Sequence, residues 1–364
     1  MKKKIAIDCR EFYKEKTTGI GRLLENFIAY APGSRPEWEF LLLGSVDTVL
    51  PFKPAGNVSF RVIAGSNTQF WEQVRLPMAL RRERCDLFFS PYYKTCFFSG
   101  LPSIVTIHDL IDLIYPGYTK FPAVYKRLMR LYAGSSAAVL TDSENSKRDI
   151  AALLGIPPGK IFVNSAGVDT SVFYERKNAL AYLGKLGIST PYVLYLGNSN
   201  PHKNVDGLVK AYAALPEALR AGRRLVLAGV GDYLPPAGIA PGSFIKLAHV
   251  ASEDLPFLYS GAGVFAFPSF YEGFGLPPLE AMACGCPVAS SNTSCLPEIL
   301  GDACAFFDPA SVESIKNTLA SLLSGPELRS SLRLKGFEQI KKHDPRAAAS
   351  ALAGLFDSVL RGGC

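Results

Sequence analysis

Residues 270–280 read Phe-Tyr-Glu-Gly-Phe-Gly-Leu-Pro-Pro-Leu-Glu, with two carboxylates, Glu272 and Glu280, eight positions apart. The apolar run before them, Gly263 to Pro268, predicts a buried strand, whereas Leu279 to Cys284 has the composition of a helix. The order is therefore strand, glycine turn, helix. This order is typical of parallel α/β sheets, in which ligands bind beyond the carboxyl ends of the strands.

The start of this predicted helix is a candidate phosphate site. A helix N-terminus presents backbone N–H groups and partial positive charge, and Pro277 and Pro278 cannot donate. The donors therefore lie just upstream, at Phe274, Gly275 and Leu276, with Gly273 in the same turn. A phosphate there, with Glu272 and Glu280 accepting from sugar hydroxyls, describes a nucleotide sugar. The alternative is that Glu280 only favours the first helical turns electrostatically and that Glu272 is a solvated loop charge.

Strand-like runs alternate with helical ones along the chain, which predicts parallel sheets with helices on both sides. The first series lies near Ile5–Asp8, Phe40–Leu43, Phe60–Ile63, Leu87–Ser90, Ile104–Ile107 and Val139–Thr141. The second lies near Tyr192–Leu196, Leu225–Ala228, Phe244–Leu247, Val264–Phe267, Pro287–Ser290 and Ala305–Phe307. Between them, Val168 to Pro191 is polar and weakly periodic, which predicts an interdomain linker. Two doubly wound domains are expected, with ligands bound in a cleft between them.

The 270–280 stretch resembles the Glu-x7-Glu motif of the retaining glycosyltransferases of family 4, which include bacterial mannosyltransferases. The resemblance continues through Cys284-Gly285-Cys286-Pro287-Val288 and Leu296-Pro297-Glu298, and it covers nearly the full chain. It implies the GT-B fold, two Rossmann-like doubly wound domains facing across a cleft. It also implies an acceptor-side domain at 1–172, a nucleotide-sugar-binding domain at 185–344, and a last helix within 345–364 that packs back on the first domain.

A glycine-rich loop follows the first predicted strand. The string Thr17-Thr18-Gly19-Ile20-Gly21-Arg22 opens a helix, so the N–H groups around Gly19 and Gly21 are expected to face an anion. A plain helix start explains a glycine turn about as well. The string resembles the family's Gly-Gly-Ile-Gly-Arg loop, except that Thr18 replaces its first glycine.

His108, in Thr106-Ile107-His108-Asp109-Leu110, sits where a buried strand is predicted to end. A lone histidine at such a position is commonly a core or capping residue. The string resembles the family strand that carries an active-site histidine beside the transferred sugar. The resemblance therefore implies His108 and Glu272 as the catalytic residues, with His108 in a positioning role rather than in proton transfer.

The loop from Gly197 to Asn204 follows the first strand of the second half, and the resemblance implies that its Lys203 neutralises the donor diphosphate. Two residues depart from the family pattern. Asn198 stands where many members have an arginine, and His202 replaces the arginine of the Arg-Lys-Asn string. Both changes remove a permanent cation. Diphosphate binding is therefore expected to rest on Lys203 and helix-start amides, with His202 helping when protonated.

The implied reaction uses no metal and no cofactor. No Asp-x-Asp pair occurs, so the metal clamp of the other large glycosyltransferase class is not evident. Preorganised charge and amides would stabilise the leaving diphosphate, and the acceptor would attack the face that the diphosphate leaves. Loops at Gly231 and Val250 are implied to surround the nucleotide base, partly through main-chain atoms, so the base itself cannot be read from the sequence.

Composition agrees with a soluble globular enzyme. Of the 364 residues, 48% are hydrophobic, and no apolar run reaches the roughly 18 residues of a membrane span. The chain is therefore expected to be cytoplasmic. The eight cysteines show neither a CxxC pair nor zinc spacing, which favours buried reduced thiols over disulfides.

Positive charge is concentrated in the first half of the chain. Residues 1–185 hold 25 Lys plus Arg against 17 Asp plus Glu, whereas the remaining residues hold 14 against 15. A basic face there would meet anionic lipid at the inner side of a membrane or a phosphate-bearing acceptor, with 81–84 and 125–130 as candidate segments. The alternative for each segment is an ordinary solvated helix face. A nucleic-acid partner is not expected.

These features predict a retaining, metal-independent glycosyltransferase. It would move a hexose from a nucleotide-diphosphate sugar, of the GDP-mannose or UDP-hexose type, to a glycan or lipid-linked acceptor in cell-surface polysaccharide or lipopolysaccharide synthesis. The main alternative is a degenerate GT-B protein that binds a glycan or a partner without catalysis, motivated by the missing arginines. A nucleotide-sugar epimerase shares the fold and needs no acceptor, and a phosphorylase would need a pyridoxal lysine and a much longer chain.

Overall fold

The computed structural model describes residues 2–13, 18–65, 68–188, 191–239, 242 and 244–363. The chain divides into two compact units. Unit 1 comprises residues up to 167 together with those from 345 onward, and unit 2 comprises residues 168–344. The chain therefore leaves unit 1, builds unit 2, and returns.

Unit 1 is built on a parallel sheet of seven strands. They are β1 Lys3–Asp8, β2 Trp38–Gly44, β3 Val58–Val62, β4 Leu87–Ser90, β5 Ser103–Thr106, β6 Ala138–Thr141 and β7 Ile161–Val163. Their order is β3-β2-β1-β4-β5-β6-β7, with every neighbouring pair parallel. The order reverses between β1 and β4, so the loops after these two strands diverge and leave a crevice at the carboxyl edge.

Unit 2 repeats this plan with six parallel strands. They are β8 Tyr192–Leu196, β9 Arg224–Ala228, β10 Phe244–Leu247, β11 Val264–Phe267, β12 Val288–Ser291 and β13 Cys304–Phe307. Their order is β10-β9-β8-β11-β12-β13. Here the order reverses between β8 and β11, and the loops after these two strands carry the predicted donor-binding residues 198–203 and 272–276.

Helices alternate with the strands along the chain. They are α1 Gly19–Ser34, α2 Thr68–Phe70, α3 Leu76–Arg82, α4 Ile111–Ile114, α5 Pro122–Ser135, α6 Glu144–Leu154, α7 Ala179–Leu183, α8 Val205–Ala213, α9 Glu217–Arg220, α10 Leu255–Gly261, α11 Leu276–Ala283, α12 Leu296–Leu300, α13 Val312–Ser324, α14 Pro326–Ile340 and α15 Pro345–Leu360. A π-helical turn, Trp71–Arg75, joins α2 to α3. None of the described helices is long and apolar enough to cross a bilayer.

The last helix, α15, completes the core of unit 1. Its Phe356 is fully buried and packs edge-on against Phe27 of α1 at 5.3 Å. The same ring lies 5.3 Å from Phe89 of β4 and stacks on Trp38 of β2 at 6.4 Å. Residues from both ends of the described chain therefore share one hydrophobic core.

Two features differ from the sequence-based expectation. Strand β7 was not predicted, because three residues are too few to show a periodicity. The predicted linker, 168–191, is packed into unit 2 in its described part: α7 buries Ala179 and Leu183, and Tyr182 stacks on Phe257 at 3.8 Å. Residues 189 and 190 of that segment lie outside the described residues.

The seven described cysteines are all buried, and none of them forms a disulfide. This confirms the prediction of buried thiols for that part of the chain. Burial raises the pKa of the Cys85 and Cys284 thiols to about 12, so these side chains stay protonated near neutral pH.

Candidate active site

A lysine and a glutamate meet where the strand order of unit 2 reverses. Lys203 ends the 3-10 turn Pro201–Lys203 after β8, and Glu272 lies in the loop after β11. Lys203 Nζ lies 2.6 Å from Glu272 Oε1, and both side chains are mostly buried. The pair therefore places one cation and one hydrogen-bond acceptor in the crevice where α/β sheets bind ligands.

Helix α11 begins directly beside this pair. Gly275 precedes its first residue with φ +99°, a conformation that favours glycine. A Cβ at Gly275 would also lie 2.9 Å from Cδ2 of Leu296. Both the backbone conformation and this close contact therefore disfavour a side chain at this position. Pro277 and Pro278 occupy the first turn, so the helix-start amides lie upstream of them, as predicted.

Three consecutive residues after β12 hold the glutamate loop in place. Thr293 Oγ1 donates to Phe270 O at 3.0 Å, and Ser294 Oγ accepts from the Glu272 N–H at 3.1 Å. The Cys295 thiol lies 3.2 Å from both Glu272 O and Phe274 O. We call residues 293–295 the clasp, because their side chains fix the backbone that positions the carboxylate and the helix start.

The clasp was not predicted from the sequence. Ser294 has φ +50°, a left-handed conformation uncommon for a residue with a side chain. The one feature of the sequence that points to the clasp is its position. Residues 293–295 follow a predicted buried strand, and the carboxyl ends of parallel strands carry ligand-binding loops.

Glu280, the second carboxylate of the motif, is only 2% exposed within α11. The Tyr259 hydroxyl donates to its Oε2 at 2.8 Å. The structure thus places Glu280 in the first turns of α11, held by a tyrosine of α10.

The loops after β8 and β9 approach each other closely. A Cβ at Gly229 would lie 3.3 Å from Gly197 O, and Gly229 has φ +78°. Asn198 is exposed, and its Oδ1 accepts from the Asn200 N–H at 3.1 Å in an Asx turn. The side-chain oxygen of Asn198 therefore shapes its own loop.

The two predicted base-binding positions lie in the loops after β9 and β10. Gly231 has φ +56°, and its N–H donates to Ala248 O at 3.4 Å. Val250 is partly buried in the loop after β10. The feature that the structure shows at Gly231, at the carboxyl edge of the unit 2 sheet, is its main-chain conformation and hydrogen bond.

His202 is buried beside Lys203. Burial and the positive charge of Lys203 lower the pKa of His202 to about 4, against an opposing effect of Glu272. A buried imidazole next to an ammonium group stays neutral near neutral pH, so the prediction that His202 helps diphosphate binding when protonated would apply only at acidic pH. The charged groups in contact at this point are Lys203 and Glu272.

His108 lies in unit 1, in the loop after β5. Its Nδ1 is 2.6 Å from Asp142 Oδ2, and its Nε2 is 3.0 Å from Pro91 O. Burial alone would lower the pKa of the imidazole, but the charge and hydrogen bond of Asp142, with the Pro91 carbonyl, raise it to about 9. Both partners are acceptors, so both ring nitrogens donate and the ring is a cation without a lone pair to offer.

The glycine-rich loop of unit 1 is capped from within. Thr18 is the N-cap of α1, and its Oγ1 accepts from the Gly21 N–H at 3.0 Å. The same hydroxyl donates to the buried carboxylate of Glu11, which also accepts from Tyr92 OH at 2.5 Å. Gly19 is the exposed first residue of α1, whereas Thr17 lies outside the described residues. Thr18, which replaces the family glycine, therefore accepts the hydrogen bond of the Gly21 N–H that was predicted to face an anion.

Two family descriptions match the chain. Residues 184–339 match Glycosyl transferases group 1, and residues 40–172 match Glycosyltransferase Family 4. The chain belongs to the family 4 glycosyltransferases. In Escherichia coli, the O-antigen chain mannosyltransferase B is 34% identical over 252 residues, which are 66% of this chain and 66% of that protein. The serotype-specific mannosyltransferase WbdA is 29% identical over 256 residues, which are 31% of its own length.

Solved structures assign the fold of this family 4 chain. The sucrose-phosphate synthase of Thermosynechococcus elongatus superposes with a TM-score of 0.78 at 17% identity, covering 99% of this chain and 100% of that chain. The two doubly wound parallel sheets are those of the GT-B fold, as predicted.

Proposed function

We propose that this protein is a retaining, metal-independent hexosyltransferase. It would transfer a hexose from a GDP-mannose-type or UDP-hexose-type donor to a glycan or lipid-linked acceptor in cell-surface polysaccharide synthesis. The observation that carries the proposal is the Lys203–Glu272 pair beside the start of α11, at the strand-order reversal of unit 2. The mannosyltransferase relatives support the hexose and the polysaccharide.

The donor diphosphate would replace Glu272 as the ion-pair partner of Lys203. Without a ligand the two side chains neutralise each other at 2.6 Å. A diphosphate between Lys203 and the amides from Gly273 to Leu276 would receive charge-assisted hydrogen bonds, which are stronger than neutral ones. Glu272 would then accept from sugar hydroxyls, and Glu280 from hydroxyls further along the donor. The ion pair would thus exchange partners on donor binding.

Transfer would need little chemistry from the protein beyond charge placement. Lys203 and the helix-start amides would stabilise the negative charge that develops on the leaving diphosphate. The acceptor would attack the face that the diphosphate leaves, and a phosphate oxygen would take its proton. His108 carries a full charge and no free lone pair, so its proposed part is to orient and stabilise rather than to act as a base.

Donor screening tests this proposal directly. The purified full chain is titrated with UDP-, GDP-, ADP- and dTDP-sugars, with and without EDTA, and thermal stabilisation and nucleotide release are recorded. We expect saturable binding of one donor that survives EDTA. Lys203→Ala should weaken that binding at least tenfold, whereas Lys210→Ala, an exposed lysine of α8, should leave it unchanged.

A non-catalytic GT-B protein is the second candidate function. The neutral state of His202 and the turn made by Asn198 favour it, because both positions carry cations in the family pattern. It predicts no saturable binding of any of the four donors. Saturable binding of any one donor would therefore count against this candidate.

A further inference from the structure

The imidazole of His108 is held between two oxygen atoms that belong to different loops of unit 1. Its Nδ1 lies 2.6 Å from Asp142 Oδ2 in the loop after β6, and its Nε2 lies 3.0 Å from Pro91 O in the loop after β4. A neutral imidazole carries a lone pair on one nitrogen, so loss of the proton would set that lone pair against an oxygen. Deprotonation would therefore release the ring from one of the two loops.

The carboxylate of Asp142 is only 6% exposed. Its Oδ1 is buried and has no hydrogen-bond partner in the part of the chain that the structure describes. Its Oδ2 is paired with His108, and this ion pair compensates a charge that burial would otherwise penalise. Each member of the pair therefore depends on the charge of the other.

The loop that presents the Pro91 carbonyl is fixed on both sides of that residue. Thr106 Oγ1 donates to Ser90 O at 3.0 Å, and the Thr106 N–H donates to Tyr92 O at 3.0 Å. The Tyr92 hydroxyl donates to the buried carboxylate of Glu11 at 2.5 Å. Hydrogen bonds thus connect the loops after β1 and β4 with the end of β5, three adjacent strands of the sheet. The oxygen that faces the imidazole Nε2 is therefore preorganised.

Besides Asp142, the charged group that acts on His108 among the described residues is Asp109, the next residue. Its effect is the smaller one, and its Oδ1 accepts from the Ile111 N–H at 2.9 Å. The loop after β4 contributes a carbonyl rather than a charge. Burial lowers the pKa of the imidazole, whereas the charge and hydrogen bond of Asp142 raise it, and the result is about 9. Asp142 is therefore the group that keeps the ring cationic near neutral pH.

We propose that Asp142 is a positioning residue for transfer: it holds His108 as a fixed cation, and its charge sets the alkaline limit of activity. The inference rests on the proposed function, in which His108 orients and stabilises. A charged ring that is bound at both nitrogens keeps one position and one field, which is what preorganised electrostatic stabilisation requires. A neutral ring supplies neither. Transfer is therefore lost as pH rises and His108 gives up its proton.

The pH profile of kcat tests the proposal in Asp142→Asn, which keeps an oxygen that can accept from Nδ1 but removes the charge. In the unaltered chain kcat should fall through an apparent pKa of about 9. In Asp142→Asn the fall should move to the ordinary histidine value of about 6.5 or below, so that kcat drops at least roughly 30-fold at pH 8. It should recover towards the unaltered value as pH is lowered, and the KM for the donor should not change.

Asp149→Asn is the matched control, because Asp149 is a carboxylate of α6 that accepts from Asn145 Nδ2 at 3.0 Å. It should leave the profile of kcat unchanged. Recovery at low pH separates positioning from a fold defect, since a misfolded chain is weak at every pH. An Asp142→Asn profile that still falls near pH 9, or activity that is equally low at every pH, would overturn the proposal.

NMR titration of the His108 ring supplies a measurement that needs no donor. His108→Asn identifies the signal, and we expect it to titrate near pH 9 in the unaltered chain and at about 6.5 or below in Asp142→Asn. A His108 signal that titrates at or below about 6.5 in the unaltered chain would also overturn the inference. Absence of turnover with every donor would instead overturn the proposed function, and the NMR titration would still decide whether Asp142 holds the charge.

Discussion

His108 and His202 hold opposite protonation states in the folded protein. The charge of Asp142 and two hydrogen bonds keep His108 protonated, whereas burial beside Lys203 keeps His202 neutral. An unfolded histidine has a pKa of about 6.5. Each residue therefore ties stability to pH, in opposite directions.

The free energy of unfolding should pass through a maximum near pH 6.5. His108 binds its proton more tightly when folded, so its contribution is complete below about pH 6.5 and is lost as pH rises to about 9. The folded pKa of His202 is about 4, so its contribution is complete above about pH 6.5 and is lost as pH falls towards 4. Urea denaturation across pH 4 to 9 measures the loss of stability on each side of the maximum, which should be on the order of 3 kcal/mol because each folded pKa lies about 2.5 from the unfolded value.

Single substitutions separate the two slopes. His108→Asn should flatten the alkaline side only, and His202→Asn the acidic side only. An alkaline slope that persists in His108→Asn would contradict the assigned ion pair with Asp142.

The thiol of Cys295 in the clasp is expected to affect both stability and donor binding. Cys295→Ala removes the thiol that lies against two carbonyls of the glutamate loop, and should lower the free energy of unfolding by about 1–2 kcal/mol and raise the KM for the donor several-fold. Cys295→Ser should restore part of the donor affinity. Cys304→Ala, a buried cysteine of β13, should lose stability without a change in KM. Equal KM effects of the two alanine variants would contradict a positioning role.

At the scale of elements, the turn into α11 joins backbone conformation to packing. Gly275→Ala adds both left-handed strain and a clash with Leu296, so it should cost about 1–3 kcal/mol more than Gly238→Ala. Gly238 is the matched control, because its φ is +85° and an added Cβ meets nothing within 4 Å. Chemical denaturation compares the two variants. Similar losses would show that the packing against Leu296 matters little.

Element prediction from the sequence succeeded where burial dictates the pattern. Most of the strands are short apolar runs buried on both faces, and every strand except β7 was predicted. Leu87–Ser90 and Val264–Phe267 were predicted with their observed bounds. Strand β7 was missed because its three residues make too short an apolar run, and α7 because it lies in the weakly periodic segment 168–191. The clasp and the His108–Asp142 pair escaped for another reason. They depend on which loops the sheet order brings together, and a single sequence does not show that order.

At the scale of the whole molecule, unit 1 depends on residues that follow unit 2. Phe356→Ala should destabilise unit 1 by about 3–5 kcal/mol, because it empties a site among Phe27, Phe89 and Trp38. Proteolysis with mapping of the cuts distinguishes the units. Cuts should increase in unit 1 and stay unchanged in unit 2. Leu334→Ala, at an exposed position of α14, is the control. Increased cutting of both units alike would contradict this division.

The return of α15 to unit 1 also sets an order of events during synthesis. The residues after 344 leave the ribosome only when all of unit 2 has been made, which at typical translation rates is on the order of tens of seconds after most of unit 1 has appeared. Until then the pocket that Phe356 fills stays open and apolar surface stays uncovered. A chain truncated before α15 would therefore have an incomplete core in unit 1, and its exposed apolar surface would be recognised by chaperones and proteases.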